Sequence, residues 1–404
     1  MMWCRQCFKA VRTWRDVCTQ AGNLGTGFNE STVVLGIESS FDDTAVGIVQ
    51  GNGKILGEAV HSQLSAHKAT GGVVPMVAGE LHKNNINGVT HSALERAGLK
   101  MDGVAAVAVT IGPGLAPCLK EGLAYAKALA QSANKPLIPV HHMEAHALTP
   151  RMEEEIPFPY LVLLATGGHC ILGIVHTPGK FSRLGNTTDD SPGEAFDKVA
   201  RMLRLHRHPK VSHLSGGAAI EVLARHGNPK LYHLPHVMSR RMCCQFSFSG
   251  LKTAVKNITL RIQADNPDAA NSLEPLPGCE HIAAAFQEAV CRHLLTKTHR
   301  AVLFCQQQYP QINHLVLSGG VASNNHLRLQ MKELAALHRY TLHTPPPRLC
   351  TDNGVMIAWT ALEYMKAGVD AAVKDMLTLD FMPRWPLGED ISHRVEMAQL
   401  KIPR

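Results

Sequence analysis

Val33-Val-Leu-Gly-Ile-Glu38, Thr44-Ala-Val-Gly-Ile-Val49 and Lys54-Ile-Leu-Gly-Glu-Ala-Val60 are three short apolar runs in close succession. Phe41-Asp-Asp43 and Gly51-Asn-Gly53 separate them, and Asp, Asn and Gly adopt tight-turn backbone readily. The spacing predicts an antiparallel meander of three strands. A helical pattern follows from about Val77 to Ala97. Val104–Thr110 is wholly apolar and fits a strand buried on both faces of a parallel sheet. It ends in Gly112-Pro-Gly114, with a helix expected from about Lys120 to Ser132. Lys135-Pro-Leu-Ile-Pro-Val140 reads as one more short strand.

The same order then returns. Tyr160–Thr166, Cys170–His176 and Phe181–Gly185 form a second meander, turned by Gly167-Gly-His169 and Thr177-Pro-Gly179. Much later His314–Leu317 is an apolar strand ending in Ser318-Gly-Gly320, and a helix opens at about Asn324. Such a repeat of structure rather than of letters marks a duplication. It predicts an α/β protein with a duplicated actin–hexokinase-like (ribonuclease H-like) fold, two lobes around a nucleotide cleft. The N-terminal lobe is expected over 31–150 and the C-terminal lobe over 151–383, with a helical insertion at about 190–312 and a tail at 384–404. Within the insertion, Lys198, Arg201, Arg204, Arg207 and Lys210 recur every three residues, a candidate RNA-contacting stripe. Glu280 to about Gln308 reads as a long amphipathic helix used for core packing.

The chain has 404 residues, 45% of them hydrophobic, enough for one large core or two medium ones. No run of about 18 apolar residues occurs, so no membrane insertion is expected. The net charge of +7 is compatible with a nucleic-acid partner. Eleven cysteines form no even framework, which points to a reducing compartment without structural disulfides. Residues 1 to about 30 carry Arg5, Lys9, Arg12 and Arg15, with Asp16 the one acid before Glu30 and with Trp3, Phe8, Val11 and Trp14 interleaved. A basic, amphipathic, acid-poor start reads as a mitochondrial presequence. Cys4-Arg-Gln-Cys7 has redox or zinc spacing, but no second such pair completes it.

His142-Met-Glu-Ala-His146 places two imidazoles on one face if the segment is helical, where they can share a divalent metal. With 23 histidines in the chain some such pairs arise by chance. Asp352, in Cys350-Thr-Asp-Asn-Gly354, suits either a helix N-cap or the third ligand of a two-histidine site. Four glycine turns end strands or open helices: Gly112-Pro-Gly114, Thr166-Gly-Gly168, Ser215-Gly-Gly217 and Ser318-Gly-Gly320. Exposed backbone N–H groups at such turns favour phosphate oxygens. Asp197 and Glu221 flank the Gly217 turn, where carboxylates can accept hydrogen bonds from ribose hydroxyls.

The chain resembles the tRNA N6-adenosine threonylcarbamoyltransferases, most of all their mitochondrial branch, once labelled O-sialoglycoprotein endopeptidase-like. The segments that carry the likeness run in family order. They are Leu35-Gly-Ile-Glu-Ser-Ser-Phe-Asp-Asp-Thr44, Val140-His-His-Met-Glu-Ala-His146, Leu164-Ala-Thr-Gly-Gly-His169, Gly193-Glu-Ala-Phe-Asp-Lys198, Phe246-Ser-Phe-Ser-Gly-Leu-Lys-Thr253, Ser318-Gly-Gly-Val-Ala-Ser-Asn324 and Thr351-Asp-Asn-Gly354. The resemblance implies transfer of a threonylcarbamoyl group from L-threonylcarbamoyladenylate to N6 of adenosine 37, beside the anticodon, in mitochondrial tRNAs reading codons that begin with A. AMP leaves. It implies that His142, His146 and Asp352 hold one divalent metal ion, zinc or iron. It places Leu164, Ala165, Thr166, Gly167 and Gly168 along the adenylate, and Asp197, Gly217, Glu221, Asn324 and Asn325 around its nucleoside. It further implies a homodimer in the mitochondrial matrix, fed with donor by a separate synthase. Phe41 stands where the family has a small residue, Thr166 often where it has serine, and Arg207–Ser215 is longer and more basic than usual.

The implied chemistry needs a polarised carbonyl, which a metal supplies as a Lewis acid. AMP is a good leaving group, so no Ser-His-Asp set is required. The attacking amine must lose a proton, and Glu38, Asp42 and Asp43 are acids in the first meander that can assist. Three other readings compete: a metalloprotease, a small-molecule kinase or ATPase of the same fold, and a non-catalytic nucleotide-binding subunit. The first lacks the His-Glu-x-x-His order, since Met143 follows His142.

Overall fold

The computed structural model describes residues 28–69, 72–266, 272–373 and 375–403. Most of the expected presequence, with its Cys4-Arg-Gln-Cys7, lies outside the described residues. The rest divides into two compact units. One takes the chain up to Glu155, with His176–Phe181 and Asp352–Glu389; the other takes Ile156–Val175, Ser182–Thr351 and Asp390 onward.

The first unit holds a five-stranded sheet. Its strands are β1 (Val33–Glu38), β2 (Asp43–Gln50), β3 (Ile55–Ser62), β4 (Ala106–Gly112) and β5 (Leu137–His141), in the order β3-β2-β1-β4-β5. β1, β2 and β3 pair antiparallel, as their short turns require. β4 runs parallel to β1 because a long helix, Pro75–Ala97, carries the chain across, and β5 runs parallel to β4. That helix starts with proline in its first turn and stops at Gly98, whose φ of 64° is the left-handed cap glycine adopts most easily. All of β4 is buried, as its unbroken apolar run predicts.

Gly36 and Gly47 face each other across β1 and β2. Together they leave a bare patch of backbone. A Cβ on Gly36 would run into the Ala358 N–H, and one on Gly47 into that of Val355. The helix Gly354–Lys366 therefore rests directly on the two strands, with its own Gly354 against Gly47. This seat fixes the segment just before the helix, where Asp352 lies.

The second sheet, most of it in the second unit, consists of β6 (Tyr160–Ala165), β7 (Cys170–Thr177), β8 (Lys180–Asn186), β9 (His314–Ser318), β10 (Thr341–His343) and β11 (Glu389–Asp390), ordered β10-β9-β6-β7-β8-β11, the β7–β8 turn His176–Phe181 belonging to the first unit. Read from β8, the run 8-7-6-9-10 repeats the 3-2-1-4-5 order of the first sheet, with the same mixture of antiparallel and parallel pairs. The duplicated ribonuclease H-like architecture is thus present. Between β8 and β9 stand helices Pro192–Met202, Gly216–Ala224, Ser249–Asp265 and Cys279–Gln308. The last buries Ile282, Phe286, Val290, Leu294 and Phe304 in this unit's core.

Two expectations change. The basic stripe is not one helical face: the helix ends at Met202, Arg204 turns to a left-handed φ of 59°, and only a single 3-10 turn follows. Lys198 is paired with Asp190 and Glu194, and Arg204 donates to the carbonyls of Ser272 and Glu274. The segment Asp352–Glu389, read with the C-terminal lobe, packs with the first unit instead. No described helix is long and apolar enough to cross a membrane. The eight described cysteines are free thiols and all buried. Burial pushes those of Cys118 and Cys244 up to about 12.

Candidate metal centre and nucleotide-binding turns

His142 opens the helix His142–Leu148 directly after β5. The residue before it makes that start sharp. His141 Nδ1 accepts the N–H of Met143 at 3.1 Å and of Glu144 at 3.4 Å. Its proton therefore sits on Nε2, which donates to the Trp385 carbonyl at 2.9 Å. One helical turn brings His142 and His146 together, their rings edge to face with centroids 4.8 Å apart.

Asp352 completes the group. Its Oδ1 lies 3.1 Å from His146 Nε2 and 3.5 Å from His142 Nε2. One donor atom from each of the three residues falls within 4.8 Å of the others. Asn353, not Asp352, caps the following helix, accepting the Met356 N–H at 2.8 Å. Of the two adjacent capping-type residues, the second takes the structural duty and the first turns to the histidines.

The electrostatics favour a cation. Burial opposes charge on His142, but the carboxylates of Asp352 and Glu38 outweigh it and lift the imidazole to about 9. Burial alone would raise Glu38; the His142 cation reverses that and holds its carboxyl below the ordinary value. Burial keeps His146 below its ordinary value. Two carboxylates face the imidazole pair, so once His142 yields its Nε2 proton an excess of negative charge is left in a buried place. Two imidazoles and a carboxylate converging with that excess fit a divalent ion.

Glu144 stands between the histidines in sequence but not in space. It is 2% exposed, and its Oε1 accepts the Gly179 N–H at 2.6 Å. Burial pushes it up to about 7. A glutamate committed to the β7–β8 turn is no base for a metal-bound water, which counts against the protease reading. Of the acids in the first meander, Glu38 is fully buried against His142. Asp42 and Asp43 are half-buried. Asp43 keeps one buried oxygen without a hydrogen-bond partner, and burial raises its carboxyl, with Asp352 and Glu38 adding to the effect.

In the second unit three glycine turns gather. Leu164 and Ala165 end β6 fully buried and offer only backbone. Thr166 Oγ1 accepts the N–H groups of Gly168 and His169 at 3.3 and 2.9 Å, shaping the Gly167-Gly168 turn. Gly319 backs onto it: with a φ of 99°, a Cβ there would sit 2.5 Å from the Ala165 carbonyl oxygen. Gly193 packs on Gly167, and Asp197 accepts the Gly216 N–H, tying in the Gly216-Gly217 turn. Glu221 Oε1 accepts from the backbone and side-chain amides of Asn325 at 3.1 and 2.9 Å. Glu221 and Asn325 line a cavity of about 310 Å³ together with Arg225, Gln287, Glu288 and His326. Asn324 caps the helix Asn325–Leu337 and donates to Gln287 Oε1 at 2.9 Å. Gln287 escaped the sequence reading because it lies in a helix read as core packing; a glutamine on an otherwise apolar face was its only signal. The Gly112-Pro-Gly114 turn belongs to the first unit and lies against Ser40 and Met382.

A family model described as tRNA N6-adenosine threonylcarbamoyltransferase matches residues 54–359. This chain belongs to that family. The mitochondrial tRNA N6-adenosine threonylcarbamoyltransferases of Rattus norvegicus and Homo sapiens are each 44% identical to it over 375 residues, covering 92% of this chain and 90% of theirs. Among solved structures, the (R)-2-hydroxyglutaryl-CoA dehydratase component A of Acidaminococcus fermentans is 14% identical with a TM-score of 0.48, over 83% of this chain and 100% of that one. The span matched by the family model contains His142, His146, Asp352 and every turn residue named above for the second unit. Glu38, Asp42 and Asp43 precede it.

Proposed function

We propose that this protein transfers the threonylcarbamoyl group from L-threonylcarbamoyladenylate to N6 of adenosine 37 in mitochondrial tRNAs that read codons beginning with A, releasing AMP. The observation that carries this reading is the convergence of His142, His146 and Asp352 in a chain of this family. These three residues hold one divalent ion, zinc or iron, which when bound supplies a Lewis acid for the donor carbonyl. Leu164–Gly168 line the adenylate, and the open space beside Gly167 and Gly168 lets it approach the backbone closely. Asp197, Gly217, Glu221, Asn324 and Asn325 surround the nucleoside, Asn324 acting through Gln287. The amine that attacks must shed a proton, and Asp42 and Asp43 are the acids with accessible surface to receive it.

The protein works in the mitochondrial matrix as a homodimer, with residues 1–30 as its presequence and the donor made by a separate synthase. The mitochondrial names of its relatives and the basic, acid-poor start support this location. The deciding assay mixes purified protein, zinc or ferrous iron, synthetic threonylcarbamoyladenylate and a mitochondrial tRNA transcript, then digests the tRNA to nucleosides. Threonylcarbamoyladenosine is expected. Its absence with both metals would overturn the reading.

A further inference from the structure

We propose that Glu38 is a positioning residue for His142 rather than the acceptor of the substrate's proton; this rests on the metal reading above. Glu38 ends β1 and is 0% exposed. Both of its oxygens are occupied. Oε1 accepts the Ser40 N–H at 2.6 Å, and Oε2 accepts the Thr110 hydroxyl at 2.5 Å. That same Oε2 lies 3.1 Å from His142 Nδ1. Donors from the β1–β2 turn, from β4 and from the helix after β5 therefore converge on one carboxylate. No lone pair is left facing solvent, so a substrate amine has no route to it.

The consequence falls on His142. With Nδ1–H donated to Glu38, the ring is held in one tautomer and one orientation, and Nε2 is the atom turned to Asp352. A carboxylate behind a ligating imidazole also makes its far nitrogen a better donor. Ser40 Oγ, 3.2 Å from the same Nδ1, adds a second hold. His146 has nothing comparable, because its Nδ1 is buried with no hydrogen-bond partner. One ligand is braced from behind and the other is carried by the helix alone.

The test compares wild type with Glu38→Gln for zinc affinity, by competition with a chromophoric chelator, and for the visible spectrum after cobalt substitution. Gln keeps the shape but sets an amide N–H against the Ser40 N–H or loses the acceptor facing His142. Zinc affinity about 10–100-fold weaker and an altered cobalt spectrum are expected. Wild-type affinity and spectrum in Glu38→Gln would overturn the assignment. Nitrogen NMR of histidine-labelled, zinc-loaded wild type needs no folded variant: His142 must show a protonated Nδ1 and a zinc-bound Nε2. Ligation through Nδ1 would sink the proposal while leaving the metal site standing, whereas wild-type protein that binds no zinc would remove both.

Discussion

His146 Nε2 and Asp352 Oδ1 lie 3.1 Å apart although 206 positions separate them in the chain. The histidine is fixed by a helix start at the end of β5, the aspartate by a helix seated on β1 and β2. Neither placement depends on the ion itself. His142→Ala and Asp352→Ala are therefore expected to keep the fold, seen as unchanged far-ultraviolet circular dichroism, while losing transfer activity on the order of a thousandfold. Dialysis of the wild type against a chelator should have the same effect, reversed by returning zinc or iron. Wild-type turnover in either variant rules out these ligands.

The glycine seat is a second point of leverage. Gly47→Ala puts a methyl into the backbone of Gly354 and Val355. It is expected to cost about 1–3 kcal/mol or more by overpacking and to weaken zinc binding by shifting Asp352. Gly88, on the exposed side of the helix Pro75–Ala97, has nothing within 4 Å of the place a methyl would occupy. Gly88→Ala should stabilise by roughly 0.5–1 kcal/mol through helix propensity. Urea denaturation of both variants checks the opposite signs.

Arg151 and Glu363 form a buried ion pair at 3.1 Å. Burial raises Glu363, the Arg151 charge opposes it, and Oε1 of Glu363 is left without a hydrogen-bond partner. Arg151→Met strands the carboxylate and should cost about 3–5 kcal/mol. Adding Glu363→Leu to that change should recover much of the loss. A double variant no more stable than Arg151→Met would show that the pair contributes beyond neutralising itself.

His293 gives a pH signature. It packs edge-to-face against both Phe246 and Phe248 and accepts the Ser247 N–H at 3.2 Å, which requires it neutral. Burial and the nearby Lys297 lower it from 6.5 to about 4. Below pH 6.5 the unfolded chain takes a proton that the native ring refuses, so stability falls as pH drops from about 6.5 to about 4. The slope from this group is at most about 1.4 kcal/mol per pH unit. Denaturation curves for His293→Leu across that window should be flatter than those of the wild type; parallel curves would show that His293 titrates normally.

What could be read from the residues alone was local. The meander runs, the apolar β4 and the paired histidines each carry their signal within a few positions, and the structure keeps them. β10 spans only Thr341–His343 with one buried residue, too short for a period to register. Asp352 and Asn353 are both good caps, and only the direction of each side chain separates ligand from cap. The return of Asp352–Glu389 to the first unit is decided by Gly354 meeting Gly47, residues more than 300 positions apart, and no local pattern encodes such a contact. The period of three in Lys198–Lys210 misled because charge spacing says nothing about where Arg204 leaves the helix. Glu38 was visible as an acid at a strand end, but its task depended on His142 and Thr110 arriving beside it.

The burial of the eight described thiols has a practical consequence. An alkylating reagent cannot reach them, or find an appreciable thiolate at Cys118 and Cys244, while the chain is folded. Labelling must await opening of the structure. Cys118 lies in the first unit, and the other seven lie in the second. Mass spectrometry of timed labelling would therefore report which half of the molecule breathes first, with no probe engineered in.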